Sequence, residues 1–276
     1  GIECEWLEGR ALAQRLDSPL YGAGVFEPNY ALLNPAKMAA ELRRVCLKQG
    51  IRLFEQSPVL ELQNTGDRLR LRTANGEMEA GQIALATNIA PPLLGHLASS
   101  VIPGNQFHYL RKTADNRILW AGYDAIYHFG GRRDEALTQR PASFKRLAEQ
   151  FHQAFPPLRD ARFSHAWGGI IDTSARTTMF TGCDLQGRVA YALGFTGQGV
   201  SASRFAALNM LDLLAGEATE RTELMMTSRA PFRFPPEPLR YAGVKLAQRS
   251  LAREDRDGHR DLLLKTFDAF GIGFDS

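Results

Sequence analysis

A mixed α/β (α+β) fold, part α/β and part antiparallel sheet, is predicted by three observations in this chain. A capped helix is followed by strand-like runs and a meander. Its middle third changes to antiparallel hairpin patterning. A glycine-rich turn, Gly194 to Gly199, joins the apolar run Val189 to Leu193 to a helical stretch beginning near Val200.

The elements follow in order. Trp6 to Leu16 has helical spacing, and Leu20 to Pro28 reads as a glycine-rich strand. Asn34-Pro35 opens a helix, with Asn as N-cap and Pro at the first helical position. Met38, Leu42, Val45 and Cys46 share one face before Gly50 stops it. Ile51 to Phe54 reads as a strand. Val59 to Leu62, Leu69 to Thr73 and Met78 to Ala80 form a meander turned by Asn64-Thr65-Gly66-Asp67 and Asn75-Gly76. Ile83 to Asn88 is a buried run ending in small polar residues.

Past Pro91-Pro92, Phe107 to Arg111 and Arg117 to Tyr123 flank the turn Ala114-Asp115-Asn116, and Tyr127-His128-Phe129 reads as a further edge. Pro141 to Phe155 is an amphipathic helix with Phe144, Leu147, Ala148 and Phe151 on one side. Arg162 to Ile171 and Thr178 to Gly182 read as two more strands. Phe205, Leu208, Leu211, Leu214 and Ala215 make an apolar helix ended by Gly216, and Tyr241 to Arg253 has helical periodicity with a basic face.

Composition excludes several classes. The 276 residues are 44% hydrophobic and 23% charged, as in an ordinary globular protein, and 33 basic against 30 acidic residues are too balanced for a nucleic-acid surface. Cys4, Cys46 and Cys183 lie far apart without metal-ligand spacing, so no metal site is expected, and a reducing, cytoplasmic setting fits best. No stretch reaches the ~18 apolar residues of a membrane span. The chain starts at Gly1 and enters Ile2-Glu3-Cys4-Glu5-Trp6-Leu7 directly, as text from within a domain, so a truncated chain is expected.

The turn Gly194-Phe195-Thr196-Gly197-Gln198-Gly199 carries the chemistry. A tight turn from strand to helix aims free backbone N–H groups and the positive end of the helix dipole at one point, which suits an anion or an electron-rich ring edge. Close packing of strand on helix is the other reading of three glycines.

Four pieces in order resemble the FAD-dependent amine and amino-acid oxidase superfamily of D-amino-acid oxidase, glycine oxidase and sarcosine oxidase. They are Leu33-Asn34-Pro35 before its helix, Val59 opening the meander, Ile83 to Asn88, and Trp167-Gly168-Gly169 followed by Gly194 to Gly199. The hairpin Ala114 to Gly122 resembles this family's substrate domain, and within the family the chain resembles the gamma-glutamylputrescine oxidoreductase-like group. The resemblance implies an incomplete FAD-binding Rossmann-like domain (31–97 and 166–218) interleaved with an antiparallel-sheet substrate domain (1–30 and 98–165). A C-terminal helical extension (219–276) would follow.

By that resemblance Gly194, Phe195, Thr196, Gly197, Gln198, Gly199 and Val200 lie beside the flavin ring, with Gly168 and Gly169 ahead of them. Val59 matches an adenine contact, or else is simply a core strand residue, while Ala86, Thr87 and Asn88 lie near the ADP half. FAD is expected to be non-covalent, since neither Cys nor His occurs between Thr173 and Gly182. The implied reaction oxidises a C–N bond of a small amine or amino acid by hydride transfer to flavin N5, the imine is hydrolysed, and oxygen or another acceptor takes the electrons. Tyr109, Tyr123, His165, Trp167 and Asp172 are the substrate-side candidates, each with a structural hydrogen bond as its other reading. An acidic Asp172 would favour a cationic amine.

The sequence departs from the family in two respects, one being the short crossing Ser99 to Asn105 where the family has a longer segment. No Gly-x-Gly-x-x-Gly run precedes Gly194, so the pyrophosphate cradle is missing. The second reading is therefore a truncated or non-catalytic subunit that needs a partner chain or an N-terminal segment to complete the FAD site.

Overall fold

The computed structural model describes residues 2–87, 108–122, 125–132, 134–232 and 234–270. In chain order the elements are β1 (Glu5–Glu8), α1 (Gly9–Arg15), β2 (Ala23–Phe26), α2 (Pro35–Lys48), β3 (Val59–Asn64), β4 (Leu69–Thr73), β5 (Gly76–Ala80) and β6 (Ile83–Leu85). There follow β7 (His108–Lys112), β8 (Ile118–Gly122), α3 (Pro141–Ala154), β9 (Phe180–Asp184), β10 (Val189–Leu193) and α4 (Gly199–Ala215). The C-terminal part adds α5 (Glu220–Glu223), α6 (Met225–Ser228), α7 (Leu239–Asp257) and α8 (Leu262–Ala269).

The chain folds as two compact units. The first comprises residues 1–53, 107–124 and 134–168; the second comprises 54–106, 125–133 and 169–276. Residues 31–53, expected with the nucleotide-binding half, pack in the first unit, and the C-terminal helices belong to the second.

The first unit holds two antiparallel pairs, β1–β2 and β7–β8. Trp120 of β8 is buried, packs edge-on against Phe151 and Phe155 and donates its indole N–H to the carbonyl of Leu147 at 3.0 Å, so α3 lies along the hairpin. Asn34 caps α2 as its sequence predicts, its side chain accepting from the N–H of Lys37 at 3.1 Å.

Two expectations fail in this unit. The helix expected from Trp6 begins only at Gly9, because Glu5–Glu8 pairs with β2 and Leu7, opposite Gly24, is buried with Leu12. Gly9, at φ +50°, makes the change of direction. Arg162 to Ile171 forms no strand; its backbone joins no ladder and its side chains are largely exposed.

The second unit is built around β10. Parallel to β10 lies β6 and antiparallel to it lies β9, giving the order β6-β10-β9. Side chains alternate across β10. Val189 joins Leu69, Ile83 and Leu85 on the side covered by the β3-β4-β5 meander, whereas Ala190 and Ala192 join Met179, Ala206 and Met210 of α4 on the other. Burial on both faces explains why 189–193 reads as an uninterrupted apolar run.

The meander matches its sequence signals, with β3 and β5 both antiparallel to β4. Ile51 to Phe54 forms no strand; the N–H of Ile51 instead bonds the carbonyl of Cys46 at the end of α2. The strand expected at 178–182 sits at 180–184, in register with β10. On α4 the buried residues are Ala206, Asn209, Met210 and Asp212; of the apolar residues expected there, Phe205 and Leu214 pack against the cluster and Leu211 is exposed. Asn209 is fully enclosed, donating to the Thr181 hydroxyl at 3.1 Å.

The segment expected as an edge strand at 127–129 is instead a loop ending in a single 3-10 turn, Phe129–Gly131, with Gly130 at φ +77°. It packs on α7 through Glu237, which accepts from the Tyr127 hydroxyl at 2.6 Å and from the N–H groups of Gly130 and Tyr241. Arg240 completes the cluster at 3.0 Å.

Burial alone would raise the Glu237 carboxyl, but Tyr127, the two N–H groups and Arg240 together bring it down to about 2 from 4.5. A carboxyl lowered on folding stabilises the fold above its unfolded value, and that contribution is lost as the pH falls from about 4.5 toward 2. Glu237→Gln is expected to lower the melting temperature at neutral pH and to flatten its fall between about pH 5 and pH 3. An unchanged acid slope in melts across that window contradicts this.

Candidate functional site

The chain leaves β10 at Leu193 and enters α4 at Gly199 through a turn with three residues in the left-handed region: Gly194 (φ +73°), Thr196 (φ +49°) and Gly197 (φ +80°). Gly194 is required twice over. Its φ disfavours any side chain, and a Cβ there would lie 2.9 Å from Cβ of Ser174 and 3.2 Å from the Phe180 ring. A β-branched Thr at positive φ is an outlier, and it is held by two bonds. Its N–H donates to the carbonyl of Asp172 at 2.8 Å, and its hydroxyl to the carbonyl of Gly194 at 3.1 Å.

The first N–H groups of α4, from Gly199 to Ser201, have no intrahelical acceptor, and Gln198 at the N-cap contributes no side-chain bond. Gly197, Gln198 and Val200 are exposed. A 17-residue helix thus opens with its positive end accessible.

The strand pairing sets what lies beside this turn. Because β6 and β10 are parallel with Leu85 opposite Tyr191, Ala86 and Thr87 leave the sheet at the same, carboxyl end as Gly194. Both are exposed. Ligands of open α/β sheets bind at that end of the strands. Val59, half-buried, opens β3 opposite Thr73.

Of the two readings of Asp172, its placement fits the structural hydrogen bond. It is 2% exposed, and one carboxylate oxygen accepts from the N–H of Gly194 at 2.6 Å. It faces the turn's backbone and is no open acidic group for an amine. Beside it Thr173 bridges antiparallel to Phe195, and the hydroxyl of Ser174 donates to the carbonyl of Thr178 at 2.6 Å. Sequence reasoning passed over Thr173 and Ser174. The signal was the run of small residues after Asp172, which lets two backbones approach closely.

The remaining candidates divide between the units. Tyr109 on β7, His165 and Trp167 are exposed in the first unit, His165 sharing a 2.9 Å hydrogen bond with the Ser164 hydroxyl. Gly168 belongs there too, and its lack of a side chain is packing: a Cβ would meet the Thr138 carbonyl oxygen at 2.6 Å. Gly169 has open space around it. Tyr123 and Asn88 lie outside the described residues. Among the described residues no cluster of His, Cys, Asp or Glu could hold a metal ion, and no helix is long and apolar enough to cross a membrane.

Residues 1–213 match the family model described as FAD dependent oxidoreductase, or DAO. The chain belongs to this family. Its DAO relatives include the probable oxidoreductase OrdL of Haemophilus influenzae, 25% identical over 254 residues that cover 80% of this chain and 56% of the relative. Gamma-glutamylputrescine oxidoreductase of Escherichia coli K12 is 26% identical over 248 residues, 78% of this chain and 55% of the relative. The chain therefore spans about half the length of the curated relatives it matches.

Solved structures share the DAO fold. Glycine oxidase from Geobacillus kaustophilus superposes with a TM-score of 0.66 at 19% identity, covering 80% of this chain and 65% of that one. L-proline dehydrogenase from P. horikoshii gives 0.64 at 16% identity, with 79% and 66% covered.

FAD is the cofactor of this family. The residues present fit the ring side of that group: a start of α4 without a side-chain cap, flanked by exposed Gly197, Gln198 and Val200, and small residues leaving β6 at the same end of the sheet. Residues 1–193 contain no Gly-x-Gly-x-x-Gly run for the pyrophosphate.

Proposed function

We propose that the chain contributes the ring side of a flavin site in a DAO-family oxidoreductase that oxidises the C–N bond of a small amine or amino acid. The observation that carries this is the Gly194–Gly199 turn, strained, rigidly supported and opening onto the uncapped start of α4 at the carboxyl end of a parallel strand pair. When bound, FAD supplies the hydride-accepting chemistry. The backbone N–H groups of Gly199 and Val200 and the dipole of α4 stabilise negative charge at the ring edge they face. Thr196, Gln198 and Val200 flank the ring, and Ala86 and Thr87 serve the ADP half. Tyr109 and His165 stay substrate-side candidates on the resemblance alone. Association is non-covalent, because 173–182 contains no Cys or His.

The relatives' names suggest the substrate class. One acts on gamma-glutamylputrescine and one on glycine, so a primary or secondary amine is the reactant to try first. Purified protein supplied with FAD is expected to absorb at about 450 nm after desalting and to bleach when a suitable amine is added without oxygen. Protein that stays colourless after FAD addition favours instead the second reading, a chain that needs a partner or a further segment to complete the FAD site. Flavin fluorescence retained on a denaturing gel overturns non-covalent binding.

A further inference from the structure

Asp172 is an unusual way to hold a turn. Its side chain is 2% exposed, yet only one of its two oxygens has a partner among the described residues, the N–H of Gly194 at 2.6 Å. Its own carbonyl accepts from Thr196, and the next residue bridges Phe195, so 172–173 runs beside 194–196 as a short antiparallel splint. No cation is bonded to it among the described residues. Arg176, four positions on, gives its guanidinium to the carbonyls of Met225 and Arg229 instead.

A buried carboxylate without an ion-pair partner is costly unless nearby dipoles balance it. The dipole that the structure brings to it is the Gly194 N–H, at the head of the turn that leads into α4, whose positive start faces the flavin ring in the reading above. If an acceptor alone were needed, a neutral side chain would serve.

We propose that Asp172 is the positioning residue of the ring-side turn: its carboxylate fixes Gly194, and its charge offsets part of the positive potential that the turn and α4 present. This rests on the turn facing a flavin. The charge then opposes build-up of negative charge on the ring and makes a bound flavin harder to reduce, so its removal makes reduction easier.

Asp172→Asn keeps an acceptor for Gly194 and removes the charge; Asp172→Ala removes both. In the ligand-free chain, deuterium exchange at 194–199 is expected to speed by about tenfold in D172A, the scale of one lost charge-assisted hydrogen bond, and to stay within about threefold of wild type in D172N. In FAD-loaded protein, D172N is expected to raise the flavin midpoint potential, a readout that a purely structural side chain leaves unmoved. Unchanged exchange in D172A overturns the positioning role. An unchanged or lowered potential in D172N overturns the electrostatic one. Should wild type take up no FAD, the flavin reading is what fails, and the exchange result alone decides whether Asp172 fixes the turn.

Discussion

Gly194→Ala is expected to destabilise the second unit by about 2–4 kcal/mol, combining left-handed backbone strain with overpacking against Ser174 and Phe180. The overlap is severe because Cβ of Ser174 sits on a backbone already pinned by the Ser174–Thr178 bond and by the neighbouring Thr173–Phe195 bridge. Neither side can step aside without breaking the splint. Gly187, in the β9–β10 turn, separates the two contributions: it has φ +82° but nothing within 4 Å of a Cβ. Gly187→Ala therefore carries strain alone and is expected to cost only ~1–2 kcal/mol. Urea unfolding of the two variants measures the difference. Equal losses would mean that packing at Gly194 contributes nothing. FAD affinity is expected to fall with Gly194→Ala and not with Gly187→Ala, because only the first disturbs the turn proposed to face the ring.

Leu69→Ala is expected to cost about 2–5 kcal/mol, since a fully enclosed leucine loses both its transfer free energy and its packing. Leu69 is the meander residue in the cluster with Ile83, Leu85 and Val189, so it couples the β3-β4-β5 layer to the β6-β10-β9 sheet. A cavity there loosens β6 and, with it, the exit of Ala86 and Thr87. Leu60 on β3 is the comparison. It is 55% exposed, and truncating it is expected to change stability by less than about 0.5 kcal/mol. Denaturant midpoints decide the matter, and similar losses at Leu60 and Leu69 would refute the layer assignment.

Legibility differed from element to element for physical reasons. The start of α2 was plain, because Asn34 and Pro35 act through local geometry that needs no distant partner. The meander was equally plain, its turn residues and alternation being local. Ile51 to Phe54, Arg162 to Ile171 and 127–129 read as strands from apolar content, but a strand exists only where a ladder partner exists. Trp6 showed the reverse error: a helical spacing was overridden because pairing with β2 buries Leu7.

The site followed the same division. Residue order alone picked out Gly194 to Gly199 as a strand-to-helix turn, because glycine's tolerance of positive φ is a property of single residues and β10 and α4 flank it unmistakably. Residues 1–193 contain no comparable glycine-rich run. Tertiary structure decided which groups serve it. Asp172, 22 positions before Gly194, is a buried splint and no open acid. Gly168 is glycine for the sake of the Thr138 carbonyl, and Ala86 and Thr87 meet the turn's end of the sheet through a parallel pairing. Those assignments depend on which backbones lie side by side, and burial rather than residue type fixes whether a carboxylate meets solvent or an N–H.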